Sequence, residues 1–217
     1  MLLRPRQKQF VERSIHALDE HGNTLAVAPT GAGKTIMLSA VTGRMIGEPA
    51  KGTGAKACVL AHRDELTGQN LNKFGRVNPQ LTTSIVDAKE KSWRGQVTFA
   101  MVPTLARKDN LDQMPAIDLL VIDEAHHAAA DSYRRIIDAA LHRNPMCRIY
   151  GVTATPNRGD KRGLRPVFSN VADQIRIGEL IASGHLVSPR TFVIDVGVQR
   201  SEEHTSELQS RGLISYA

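Results

Sequence analysis

Short apolar runs rich in Val and Ile recur along the chain: TLAVA at 24–28, ACVLA at 57–61, VTFAMV at 97–102, DLLVID at 118–123 and RIYGVTA at 148–154. Each is too uniformly apolar for a sheet with one wet face, and stretches of helical period separate them. That alternation predicts parallel strands covered on both sides by helices. The expected fold is α/β, a three-layer domain around a mainly parallel central sheet.

The intervening stretches carry their own stripes. Val11, Ile15 and Leu18 fall at i, i+4 and i+7; Ile36, Met37, Ala40 and Val41 follow the first run; Tyr133, Ile136, Ile137, Ala140 and Leu141 form a stripe that stops before Asn144-Pro145. These are expected core faces of helices. The segment GEPAKGTGAKA, 47–57, has Gly, Pro and Lys without apolar period and reads as a surface loop. No internal repeat is visible.

Composition changes this picture little. The 217 residues suffice for one full core, and 41% hydrophobic with 23% charged residues is ordinary for a globular chain. The excess of 28 Lys+Arg over 22 Asp+Glu gives +6 and favours a polyanionic partner. Cys58 and Cys147 have no CxxC neighbour, which fits reduced thiols and no zinc site. No stretch approaches the roughly 20 apolar residues of a membrane helix, and the N-terminus lacks a signal-peptide pattern. A cytoplasmic protein without a membrane partner is expected.

Chemistry enters at VAPTGAGKT, 27–35, where an apolar run gives way to a Gly-rich loop and then a helix. Gly31 and Gly33 permit backbone angles that turn successive N–H groups toward phosphate. Pro29, Thr30 and Ala32 complete the cradle, Lys34 is expected to reach the β- and γ-phosphates of a nucleotide, and Thr35 to ligate Mg²⁺. Ala28 stands where the strict pattern has Gly. Farther on, LLVIDEAHH delivers Asp123 and Glu124 to the carboxyl end of a buried strand, where open α/β sheets place ligands. Asp123 is expected in the Mg²⁺ shell and Glu124 as the group that orients and deprotonates water. A solvated turn is the alternative.

APTGAGKT (28–35), LAHRDEL (60–66), DEAHH (123–127) and TATP (153–156) occur in the order and approximate spacing of motifs I, Ia, II and III of superfamily 2 helicases, and the chain resembles that family from residue 3 to about 195. The DEAHH relatives, RadD-like and phage helicases and the motor parts of restriction enzymes, look most similar. The resemblance implies a RecA-like fold, ATP and Mg²⁺ as cofactors, and nucleic acid as partner, DNA ahead of RNA. LRPRQKQF is similar to the family's N-terminal adenine motif, which implies that Gln7 hydrogen-bonds the base and Arg4 supports it. It further implies that His126 joins the water and phosphate network and that Thr153 and Thr155 couple nucleotide state to the nucleic-acid surface. Its backbone-contacting loops fall at His62 and Arg63 and at Pro103, Thr104 and Arg107, where contacts would be to phosphates rather than bases. His127 reads as a packing or surface residue, and the His pair lacks a third metal ligand. Trp93, beside Lys91 and Arg94, is read as partly buried under a strand, with base stacking as the other possibility.

The resemblance divides the chain into a motor domain at 1–176, a connector at 177–199 toward a second RecA-like domain, and a tail at 200–217. Gly184 after Ala182-Ser183 suits a helix stop in the connector. RSEEHTSELQS, 200–210, is what a widely used sequencing-library adapter encodes in frame, so the tail is expected to be non-native and is left out of the fold. Without its two Arg and three Glu the charge is +7. The expected function is the ATP-binding half of an ATP-dependent helicase or translocase, from a bacterial cell or phage-infected host, weakly active alone because the second domain's arginines complete the site. A small-molecule phosphotransferase, a nucleotide-dependent binding module that never hydrolyses, and a restriction-enzyme motor are the alternatives.

Overall fold

The computed structural model describes residues 3–47, 54–61, 64–156 and 163–188. The apolar runs become strands β1 (Asn23–Val27), β2 (Ala57–Ala61), β4 (Val97–Met101), β5 (Leu119–Asp123) and β6 (Arg148–Thr153). Two more, β3 (Thr83–Val86) and β7 (Val171–Gln174), flank them in one seven-stranded sheet of order β3-β4-β2-β5-β6-β1-β7. All six pairings are parallel, so every carboxyl end lies along the same edge of the sheet.

Alternate residues of each central strand feed two separate cores, as the two-residue period of a strand requires. Leu25, Val27, Cys58, Leu60, Leu120 and Ile122 pack on one face with Leu105, Tyr133, Ile136 and Phe168. Ala26, Val59, Leu119 and Val121 pack on the other with Phe10, Leu18, Met37, Val41 and Phe74. Helices α1 (Pro5–His21), α2 (Lys34–Gly47) and α3 (Asp64–Val77) supply the second layer; α4 (Val102–Leu105), α5 (Lys108–Asp112) and α6 (Asp131–Arg143) supply the first. The three-layer α/β expectation is the observed arrangement.

Several boundaries differ. Val102 opens α4 rather than closing β4, because Pro103 can occupy the first turn of a helix but not extend a ladder. On α6 the buried face is Tyr133, Ile136, Ile137 and Ala140, whereas Leu141, expected in the same stripe, is exposed. Helix α2 runs through Gly47, the first residue of the expected loop, and residues 48–53 of that loop lie outside the described residues.

Past residue 163 the chain returns to the free side of β1. Strand β7 pairs with β1 through Leu25↔Val171 and Ala26↔Asp173, with a register shift between them. A short helix α7 (Ile177–Ala182) follows and buries Leu180 in the same core as α1 and α2. The first part of the expected connector is thus packed on the body of the domain. Residues 189–217, including the tail, lie outside the described residues.

Candidate functional site

The register sets three loops side by side. Val27 of β1 pairs with Thr153 of β6, and Asp123 of β5 with Val152 of β6. The Gly-rich loop, the DEAHH segment and TATP therefore leave the sheet edge as neighbours. Gly31 (φ 85°) and Gly33 (φ 88°) both occupy left-handed backbone conformations, which favours glycine at each. Helix α2 begins at Lys34 immediately after, with the Gly33 carbonyl accepting from Ile36 and Met37. Backbone N–H groups and a helix amino end converge there, the arrangement that binds phosphate.

Lys34 Nζ donates to Glu124 Oε1 at 3.2 Å. Glu124 is the one non-glycine residue among those described with positive φ (52°), a left-handed position that costs a residue with a Cβ. Its other oxygen, Oε2, lies 3.3 Å from His126 Nδ1, and the same nitrogen is 3.1 Å from Thr153 Oγ1. Thr153, fully buried, also accepts from the Thr155 backbone N–H at 3.2 Å. Lys34, Glu124, His126, Thr153 and Thr155 form one continuous polar chain across three loops.

Asp123 sits one step deeper and is buried. Burial pushes its carboxyl above the usual aspartate range, with the adjacent Glu124 charge acting in the same sense; the hydrogen bond from Asn70 Nδ2 (2.9 Å), the Glu124 N–H (3.0 Å) and the Lys34 charge oppose the shift. A buried carboxylate of this kind, with no ion-pair partner among the described residues, is a hard oxygen donor suited to a divalent cation. Thr35, the first-turn neighbour of Lys34, is partly buried and provides the other candidate oxygen.

At the start of α1, Gln7 is buried against the Gly-rich loop. Its Nε2 donates to the Ala32 carbonyl at 2.9 Å and its Oε1 accepts from the Arg4 N–H at 3.0 Å, so the side chain both caps the helix and braces the loop. An added Cβ on Gly33 would lie 2.6 Å from that same Nε2. Arg4, Gln7 and Ala32 border a cavity of about 320 Å³ floored by Pro5, Ile175 and Leu180. Pro29 is buried and Thr30 exposed on the flanks of the loop.

Thr104 and Arg107 follow β4 at the same sheet edge. Thr104 is buried in the one-turn helix α4, and its carbonyl accepts from Asn110 Nδ2 at 2.7 Å; Arg107 is exposed and begins α5. Pro103 is also exposed, whereas His62 and Arg63 lie outside the described residues. Trp93 is partly buried against the core, and His127 stacks on Tyr133 with ring centroids 6.3 Å apart. No group of three or more His, Cys, Asp or Glu side chains among the described residues could hold a metal ion by themselves.

A family model described as type III restriction enzyme, res subunit, matches residues 1–158. The chain belongs to this family. Its members share the N-terminal RecA-like domain of superfamily 2 helicases, the fold expected from the four motifs. The chain is similar to the putative ATP-dependent helicase IRC3 of Saccharomyces cerevisiae, 30% identical over 190 residues that make up 83% of this chain and 27% of that protein. It is likewise similar to the putative mitochondrial ATP-dependent helicase irc3 of Schizosaccharomyces pombe, 29% identical over 88% of this chain and 32% of that one. The chain thus spans about a third or less of the length of these relatives. Among solved structures, a nuclease-deletion mutant of the Type ISP restriction-modification enzyme LlaGI, in complex with a DNA substrate mimic, superposes with a TM-score of 0.67 over 85% of this chain and 21% of that one. At 16% identity this likeness is one of fold.

Two groups of site residues escaped the sequence reading. Asn70 holds Asp123, and the signal for it was a polar residue at a core position of helix α3: Asn70 lies one turn before Phe74, and both are buried. The second group is an ion network in which the Arg6 guanidinium engages both oxygens of Asp173 and donates through Nε to Glu179 at 3.0 Å, while Arg13 Nη1 reaches Asp173 at 3.1 Å. Pairing across 160 residues or more leaves no local trace in the sequence.

Proposed function

We propose that this chain is the Mg·ATP-binding half of a DNA-dependent helicase or translocase. The carrying observation is the polar chain from Lys34 through Glu124 and His126 to Thr153, which links the phosphate loop to the end of β6. Lys34 and the loop amides would hold the triphosphate, Thr35 and Asp123 would hold Mg²⁺, and Glu124, beside Lys34, would orient and deprotonate the attacking water. His126 carries the change to Thr153 and Thr155.

Adenine selectivity follows from Gln7. Among the described residues its amide bonds only Ala32 and Arg4, which leaves one N–H and one acceptor lone pair. An adjacent donor and acceptor complement the N7 and amino group of adenine and mismatch the two acceptors that guanine presents on that edge.

For nucleic acid, the ends of β2 and β4 adjoin the ATP site across β5, and we assign Arg107 and Thr104, with His62 and Arg63, to phosphate contacts there. DNA is preferred to RNA because relatives are named DNA helicases, as in the Mph1 protein of Pyricularia oryzae, and because LlaGI was captured on a DNA mimic. The rest of the motor is a second RecA-like domain beyond the connector, whose arginines close the ATP site; an arginine finger contributes on the order of 10³–10⁵ in rate in related phosphoryl transfer. The chain alone therefore binds Mg·ATP and hydrolyses it slowly, in the cytoplasm of a bacterial or phage-infected cell.

Titration of the 217-residue chain with ATP, with and without Mg²⁺ and single-stranded DNA, tests the reading. Mg²⁺-dependent binding abolished by Lys34→Ala supports it. Hydrolysis indifferent to DNA, joined to a chain with a second RecA-like domain in place, would favour a small-molecule phosphotransferase instead.

A further inference from the structure

The cavity beside Gln7 has a second wall that no motif describes. Its lining includes Glu179, Leu180, Ser183 and His185, from α7 and the turn after it. That turn is wound back on the helix: the Leu180 carbonyl accepts from the N–H groups of both His185 (2.8 Å) and Leu186 (3.0 Å), and Gly184 adopts φ 71° to make the reversal. Leu186 is thereby brought onto the phosphate loop, so close that a Cβ on Gly31 would lie 2.9 Å from its Cδ2. His185 is exposed at the cavity rim, its Nδ1 2.8 Å from the Ser183 hydroxyl. The ion pair between Arg6 and Glu179 ties this wall to the one carrying Gln7.

We propose that the turn Ser183–Leu186 forms part of the nucleobase pocket, with the His185 ring as the surface against which the base packs. This rests on the nucleotide reading of the site. The cavity lining is mostly apolar, with Pro5, Ala32, Ile175 and Leu180 around it, which suits a flat heteroaromatic ring, and the Gln7 amide is among the few polar groups that border it.

The test compares ATP with inorganic tripolyphosphate, which engages the phosphate loop but carries no base, by calorimetric titration of the full 217-residue chain in Mg²⁺. His185→Ala is expected to weaken ATP by roughly tenfold, the scale of one aromatic stacking contact, while the tripolyphosphate affinity stays within about twofold. His185→Phe, which keeps a flat ring, is expected to restore ATP binding. ATP affinity unchanged in His185→Ala, or an equal loss for both ligands, would overturn the assignment while leaving the nucleotide reading intact. Failure of the wild-type chain to bind either ligand would remove the nucleotide reading itself and the inference with it.

Discussion

His126 Nδ1 lies 3.1 Å from the hydroxyl of Thr153, joining the loop after β5 to the end of β6. The neighbouring strands are already in register, so the bond ties two loops together rather than two strands. Thr153→Val keeps the shape and removes the hydroxyl, leaving His126 and the Thr155 N–H without that partner. The expected cost is about 1–3 kcal/mol of stability with Mg·ATP affinity preserved. Chemical denaturation paired with ATP titration checks it, and a large loss of ATP affinity at unchanged stability would contradict the linking role.

Lys34 and Glu124 form an ion pair at 3.2 Å. Glu124→Gln weakens that contact by removing a charge, so the lysine is released more readily. ATP binding is expected to stay equal or to tighten, while hydrolysis falls by about 10²-fold or more from loss of the base. Single-turnover kinetics with radiolabelled ATP separates the two effects. Weaker ATP binding in this variant would show that Glu124 helps to hold the nucleotide rather than to activate water.

Much of this site was legible because its residues are tied to strand ends. An apolar run fixes where a strand stops, and Lys34, Asp123, Glu124 and Thr153 all fall within seven residues of such a stop. The edge strands were not legible: β3 has one side partly open and reads as TSIV, and β7 reads as VADQ with Val171 exposed, so neither forms an apolar run. The Arg6–Asp173 pairing and the base-side wall were hidden for a different reason. They depend on β7 folding back beside β1, a long-range event that no local period encodes.

Arg6 and Arg13 meet on Asp173, whose side chain is nearly buried. Burial opposes its ionisation, but the Arg6 hydrogen bonds and charge, the Gln174 N–H and Arg13 outweigh it and hold the carboxyl below the usual range. A depressed folded value stabilises the native state above the unfolded pKa near 4 and is lost as pH falls through the folded value. Asp173→Ala is expected to cost about 3 kcal/mol at neutral pH, since it leaves Arg6 half-buried with Glu179 as its one remaining counter-ion among the described residues. The deficit relative to wild type should shrink as pH falls below the ordinary aspartate value, where the unfolded wild-type chain takes up the proton before the folded one. Thermal melts from pH 7 to pH 3 give the comparison, and a deficit constant with pH would mean that packing, not charge, is what Asp173 supplies.

Asp123 has the opposite sign. Its carboxyl is pushed up, chiefly by burial, so the folded chain binds a proton more readily than the unfolded chain between the ordinary aspartate value and the raised one. Stability from this group is therefore greatest below that window and falls as pH rises through it. Asp123→Asn removes the buried charge, and a flipped Asn70 amide can still bond to it. The variant is expected to melt higher than wild type at pH 7 in the absence of Mg·ATP and to lose the further stabilisation that Mg·ATP gives wild type. A ligand that binds only the native state raises stability by RT ln(1 + [L]/Kd), so at 100 times Kd the wild-type gain is about 2.7 kcal/mol. Melting curves with and without Mg·ATP therefore report both halves at once. An Asp123→Asn chain that melts lower than wild type without ligand would show that the carboxylate is held for the fold, and one that still gains the full Mg·ATP increment would take Asp123 out of the metal site.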